Sequence, residues 1–149
     1  MSEINLTVFD ESALQTRESI KALEDQVLAM PQIDFQPKHY FGGGIYAREL
    51  WMPKNSVVTG KIHIKEHLCS IAFGDVTITD EFGSVRVKGP CTFVGKPGSK
   101  RALFMHEDTL WTAYHTTDKL TVEEAEAEIV TNDYNVFDRI VGEKKCLSS

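Results

Sequence analysis

Thr59–Gly74 reads TGKIHIKEHLCSIAFG, and Gly95–Arg101 reads GKPGSKR. In the first stretch polar and apolar residues alternate on either side of Lys65–Glu66, which is the period of an extended strand. Successive strand side chains point to opposite faces. Over Thr59–Ile64 one face therefore carries Lys61 and His63, and the other carries Ile62 and Ile64. Over Glu66–Phe73 one face carries His67, Cys69 and Ile71, and the other carries Leu68, Ser70 and Ala72. Gly74–Asp75 breaks the second run.

Working outward, the zone from about His39 to Thr117 consists of short β-prone runs separated by turn residues. The runs are Gly44–Met52, Ser56–Ile64, Leu68–Phe73, Asp75–Thr79, Ser84–Val87, Thr92–Val94, Ala102–Met105 and Thr109–Thr116. Many short strands at near-even spacing predict an antiparallel sandwich or barrel. Gly42–Gly43–Gly44 reads as a turn that follows no strand and opens no helix, so it fails the context of a phosphate loop. His106–Glu107–Asp108 reads as a hairpin turn.

Before this zone, Asp10–Met30 has an amphipathic helical pattern. Ala13, Ile20 and Val27 recur every seven residues, with Thr16, Leu23 and Met30 as the companion set. Ser12 and Gln15 form a capping box, with Asp10 as a rival cap, and Pro31 ends the helix. The seam fits either packing on the chain's own barrel or pairing with another subunit. After the zone, Thr121 caps a short acidic helix over Val122–Val130, and Glu123, Glu124, Glu126 and Glu128 read as a solvated face. The apolar residues Tyr134, Val136, Phe137, Ile140 and Val141 predict a tail packed until about Gly142, followed by a frayed end. The expected division is a helical extension over 1–38, a barrel over 39–117, and a helix with a tail over 118–149.

The bulk numbers exclude several classes. A chain of 149 residues with 42% hydrophobic and 26% charged residues is long enough for one core. A net charge of −6 argues against a general nucleic-acid binder, which needs a basic face. Three widely spaced cysteines (Cys69, Cys91, Cys146) fit neither a disulfide framework nor a zinc finger. No apolar run is long enough to span a bilayer, and MSEINLTVFDES lacks the pattern of a secretory leader, so a cytoplasmic site of synthesis is expected.

Gly60, His63, Gly74 and Pro97–Gly98 resemble the two short motifs of the cupin superfamily, with departures. Lys61 stands in the place of the first motif histidine and His63 in the place of the second. His67 stands where the motif glutamate is expected, and Arg101 lies near the place of the third histidine. The strings GKIH, EHL, PCTFV, PGSKR, EDTLW and YH are similar to small cupin-like proteins of tailed bacteriophages and prophages. This resemblance, which covers roughly residues 40–117, implies a single cupin barrel (a double-stranded β-helix, or jelly roll), so the expected chain is all-β with the N-terminal amphipathic helix and short C-terminal helix read above. It also implies a homodimer or higher self-assembly, a viral source, other phage proteins as partners, and residence in the host cytoplasm or the virion. It implies no reaction.

On that alignment Lys61, His63 and His67 face one cavity and Arg101 enters from the opposite sheet. The last strand presents either Trp111, Ala113 and His115 or Leu110, Thr112 and Tyr114, and the first set adds His115. In a metal reading, His63 and His67 are ligands of a divalent transition metal, and His115, His106 or Glu107 supplies a third. In an anion reading no cofactor is expected. Lys61 and Arg101 then hold a small anionic ligand such as a nucleotide or sugar phosphate, while His63, His67 and His115 supply hydrogen bonds or catalytic proton transfer. Two cations beside the histidines favour the anion over the metal. In a structural reading these groups satisfy each other and Glu66, Glu107 or Asp108. The corresponding functions are binding or turnover of an anionic small molecule, a virion or assembly component without catalysis, and a metal-dependent cupin enzyme. Cys69 reads as a small apolar residue, and Trp51 and Trp111 as core or interface residues.

Overall fold

The centre of the chain is a continuous apolar tetrad, Ala102–Met105, buried on both faces. Leu103 and Met105 point one way into a cluster with Met52, Cys69, Ile71, Val76, Ile78 and Trp111. Ala102 and Phe104 point the other way, onto Ile20, Leu23 and Val57. A strand can be apolar at every position only when both of its faces are covered.

The computed structural model describes residues 17–33, 35–80, 83–98, 100–133, 135 and 138. The elements are α1 (Arg17–Leu28), β1 (Lys38–Gly42), β2 (Ile45–Met52), β3 (Val57–Thr59), β4 (Ile62–His63), β5 (His67–Phe73), β6 (Asp75–Asp80), β7 (Gly83–Lys88), β8 (Cys91–Gly95), β9 (Ala102–Met105), β10 (Thr109–Thr116), α2 (Val122–Ile129) and β11 (Val130–Thr131). The strands form a five-stranded sheet, β1-β2-β10-β5-β8, a four-stranded sheet, β3-β9-β6-β7, and a small pair, β11-β4. Every pairing among the described residues is antiparallel.

From β2 to β10 the chain passes back and forth between the two large sheets, with β4 set apart. It stays in one sheet only at the β6–β7 hairpin. Residues 106–108 therefore link β9 of one sheet to β10 of the other and are not the hairpin turn the sequence suggested. Gly74 likewise joins strands of different sheets. Gly42–Gly44 does follow a strand: β1 pairs with β2 from Lys38↔Glu49 to Gly42↔Ile45. The two residues between them, Gly43 (φ 59°) and Gly44 (φ 76°), lie in the left-handed region that a two-residue hairpin of this twist requires.

The helix α1 packs on its own chain. Ile20 and Leu23 are buried against β3 and β9, and Val27 packs alongside. Burial of such side chains stabilises by about 1.5–3 kcal/mol each. An ion pair reinforces the contact: Lys100 Nζ lies 2.7 Å from Glu24 Oε1, and the lysine side chain is only 5% exposed. The expected capping groups at Asp10, Ser12 and Gln15 lie outside the described residues, as does most of the expected C-terminal tail. Thr121 does cap α2, and its hydroxyl accepts a hydrogen bond from the Glu124 N–H. One face of α2 buries Ala125 and Ile129 against Tyr46 on β2. No helix among the described residues is long and apolar enough to cross a membrane.

Candidate functional site

Three histidines from three strands meet inside the molecule. His63 ends β4, His67 begins β5, and His115 lies near the end of β10. The ring centroids are 4.1 Å apart for His63–His67, 4.6 Å for His67–His115 and 5.5 Å for His63–His115. Strand parity produces the meeting. On β5, His67, Cys69 and Ile71 turn inward while Leu68 and Ala72 are exposed. On β10 the inward set is Trp111, Ala113 and His115, the first of the two alternatives open from sequence.

Each ring keeps one nitrogen without a partner. His63 Nδ1, His67 Nε2 and His115 Nδ1 are buried without a hydrogen bond. No carboxylate among the described residues makes an ion pair with them. His67 Nδ1 lies 3.2 Å from the Lys65 carbonyl oxygen, to which it donates, which leaves Nε2 with its lone pair. All three rings are held neutral. Burial lowers the His63 pKa to about 2, helped by His67 and Arg101. Burial likewise lowers His67 and His115 to about 4.

Neutral imidazoles with free lone pairs are the protonation state a transition metal needs. One ligand atom from each ring lies within 4.8 Å of the others. Bonds of about 2.1 Å to a shared ion need donor separations of about 3.4 Å, so small ring rotations would complete the set. The donor chemistry therefore fits a divalent transition metal. His106 and Glu107 are engaged elsewhere. His106 Nε2 is 2.7 Å from Thr77 Oγ1, and Glu107 lies 3.6 Å from Lys54 Nζ.

His63 and His115 also line a cavity of about 380 Å³. Arg101 lines it from the segment that leads into β9. It donates to Cys69 Sγ at 3.8 Å. Gly95 makes room for both groups: a Cβ there would collide with the His67 ring and with Arg101 Nη2. Lys61 is solvent-exposed and contributes to the lining from the edge.

Sequence reasoning missed three further ionisable lining residues: Tyr46, Arg48 and Glu126. Arg48 Nε is buried without a hydrogen bond. Neither Arg48 nor Arg101 has a carboxylate within ion-pair distance among the described residues. Glu126 is half-buried on the cavity wall, where a fully solvated helix face was expected. The Tyr46 hydroxyl is 2.7 Å from His39 Nδ1. Burial raises the Tyr46 pKa, and the nearby Glu126 charge adds to that. The alternation along Tyr46, Arg48, Leu50 and Met52 was the available signal for this wall.

No family model matches the chain, and no curated protein matches it. Among solved structures it is similar to a cupin-2 domain containing protein from Shewanella frigidimarina, at 9% identity and a TM-score of 0.47 over 63% of this chain and 91% of that one. It is similar to a cupin domain from Bordetella pertussis at 10% identity and a TM-score of 0.47, over 59% and 98% of the two chains. A cupin superfamily protein from Desulfitobacterium hafniense matches at 9% identity and a TM-score of 0.47, over 62% and 87%. At such identities and TM-scores these likenesses assign the chain neither a ligand nor a reaction.

Proposed function

We propose that this chain is a cupin-type protein that holds a divalent transition metal on His63, His67 and His115 and takes a small anionic organic ligand in the adjoining cavity. One observation carries the reading. Among the described residues, the buried side-chain polar atoms without a partner are one nitrogen from each of these histidines and Nε of Arg48, and His63, His115 and Arg48 line one cavity. A buried polar group without a partner costs about 1–3 kcal/mol, so three in the wall of one cavity, with the His67 ring stacked against two of them, mark a place built for something that satisfies them.

The metal and the anion are complementary. Two guanidiniums disfavour a lone dication but favour a metal whose open position is filled by an anion. The exposed position of Lys61 removes one of the cations that weighed against the metal. When bound, the metal would act as a Lewis acid toward an oxygen of the ligand. The chain's own groups orient that ligand: Arg48 and Arg101 by charge, and Tyr46 with its hydroxyl.

Elemental analysis of protein prepared without an affinity tag, after loading with zinc or cobalt and dialysis, tests the reading. The expected result is about one ion per chain, with affinity lowered at least about a hundredfold in His67→Ala and His115→Ala. A wild-type protein that retains no ion above the level of the His67→Ala/His115→Ala double variant would sink it.

A further inference from the structure

The cavity is not uniform along its length. On β2 its wall runs Tyr46, Arg48, Leu50, Met52, and the paired β10 runs His115, Ala113, Trp111 alongside, in the register His115↔Tyr46, Ala113↔Arg48, Trp111↔Leu50. One end is thus hydroxyl, imidazole and guanidinium, and the other is aliphatic and indole. The opposite sheet repeats the sequence: Arg101 is followed two residues later by Leu103, which pairs with Val58, and both line the cavity. Each facing wall therefore presents an arginine and then, one inward position on, a leucine. Phe35 and Trp111 add aromatic surface to the apolar end.

We infer that the ligand is an amphiphilic monocarboxylate, with its carboxylate between Arg48 and Arg101 and an aryl or alkyl body between Leu50, Leu103 and Trp111. This rests on the proposed anion-binding cavity and narrows it. The span from Arg48 to Met52 is four strand residues, ~13 Å, which limits the ligand to a short chain or a single ring system. A sugar phosphate or nucleotide, the class the sequence suggested, fits only the polar end. Its hydroxyls would enter the Leu50–Leu103 half without partners, and each such group loses about tenfold in affinity. The apolar wall also distinguishes the site from a simple anion trap, since an inorganic ion gains nothing from an indole and two leucines.

Titration of the zinc-loaded full chain with 3-phenylpropionate and octanoate, against 3-phenylpropanol, glucose 6-phosphate, AMP and inorganic phosphate, tests this. Calorimetry and tryptophan fluorescence are the readouts. Both carboxylates are expected to bind at least about tenfold tighter than the other four probes. Arg48→Leu is expected to weaken 3-phenylpropionate about tenfold without weakening 3-phenylpropanol, and Leu50→Gln to weaken both. Arg48→Met substitutes if the leucine variant loses its wild-type circular dichroism. Tighter binding of AMP, glucose 6-phosphate or phosphate overturns the amphiphilic ligand and leaves the anion cavity standing. Carboxylate binding unchanged in both variants overturns it by placing the ligand elsewhere. Failure of all six probes removes this inference together with the anion cavity.

Discussion

Buried polar groups are treated in opposite ways at the four-stranded sheet and at the cavity. On β6, Asp75 accepts from Arg86 Nε and Nη2 at 2.9 and 2.8 Å. Thr77 Oγ1 meets His106 Nε2 at 2.7 Å, and Thr79 Oγ1 meets Ser84 Oγ at 3.0 Å. At the cavity, Arg48, His63, His67 and His115 each keep a buried atom with no partner. A polar group that has found its partner within the fold serves the fold. One that has not is a standing cost to the free protein, recovered only when a ligand arrives. The contrast separates a histidine whose ring the fold itself satisfies (His106) from three that each keep an unsatisfied buried nitrogen, which is the distinction the proposed site rests on.

Acid is expected to strain this contrast most. Hydrogen bonds from Arg86 hold the Asp75 carboxyl below its ordinary range, so that pair persists until strongly acidic pH. The trio behaves otherwise. An unfolded histidine titrates at 6.5, whereas His67 and His115 are held near 4 and His63 lower still. Between these values the unfolded chain binds more protons than the folded one. The stability the neutral rings provide is therefore complete above pH 6.5 and is lost as pH falls toward 4. For metal-free protein in chelator, denaturation at pH 7 and pH 5 should differ on the order of 2 kcal/mol for each of His67 and His115. Equal midpoints at the two pH values would mean that the rings are not buried in the neutral form.

The next test presses on the packing of the site. Gly95→Ala pushes a methyl group into the His67 ring and Arg101, so metal affinity should fall about tenfold or more and stability by about 1–3 kcal/mol. A calorimetric zinc isotherm matching wild type would show that the ring and the guanidinium can move aside freely. The smallest effects come from a matched pair. Thr77→Val removes a satisfied contact and should lower stability by about 1 kcal/mol with zinc binding unchanged. His115→Phe removes an unsatisfied one and should leave the metal-free protein as stable as wild type, or up to about 1 kcal/mol more stable, with zinc binding lost. Thermal melts in chelator together with zinc titrations check both. If His115→Phe were the more damaging of the two to the fold, the contrast would be wrong.

Period-two alternation grouped His67 with Cys69 and Ile71, and His115 with Trp111 and Ala113, but left open which face of β10 turns inward; the burial along β10 makes that choice. Alternation missed a break beside Lys61, because Ser56–Ile64 was read as one strand. The chain breaks at Gly60–Lys61 into β3 and β4, which belong to different sheets, so parity counted from one does not carry into the other. β1 escaped notice because KHYFG has a weak pattern and gains its place only by pairing with β2. β11 is two residues long and exists through its pairing with β4. Arg48 and Glu126 were missed for a related reason: a short motif cannot name residues that reach its site from another strand and from a helix about sixty residues away. Ile20 and Leu23 announced an apolar helix face, and only the structure shows what they cover within the chain, β3 and β9.

Lys100 and Arg101 are neighbours in the chain, and they look in opposite directions. Lys100 reaches outward to Glu24 on α1, while Arg101 reaches inward to Cys69 and the cavity. A buried lysine stripped of its partner is a charge without compensation, a change that typically costs about 3–5 kcal/mol. The outer helix is thus anchored to the residue that directly precedes the cavity's arginine. By steadying one peptide unit it fixes the origin from which the cavity's guanidinium is aimed, so the surface helix and the interior site share a single mechanical footing.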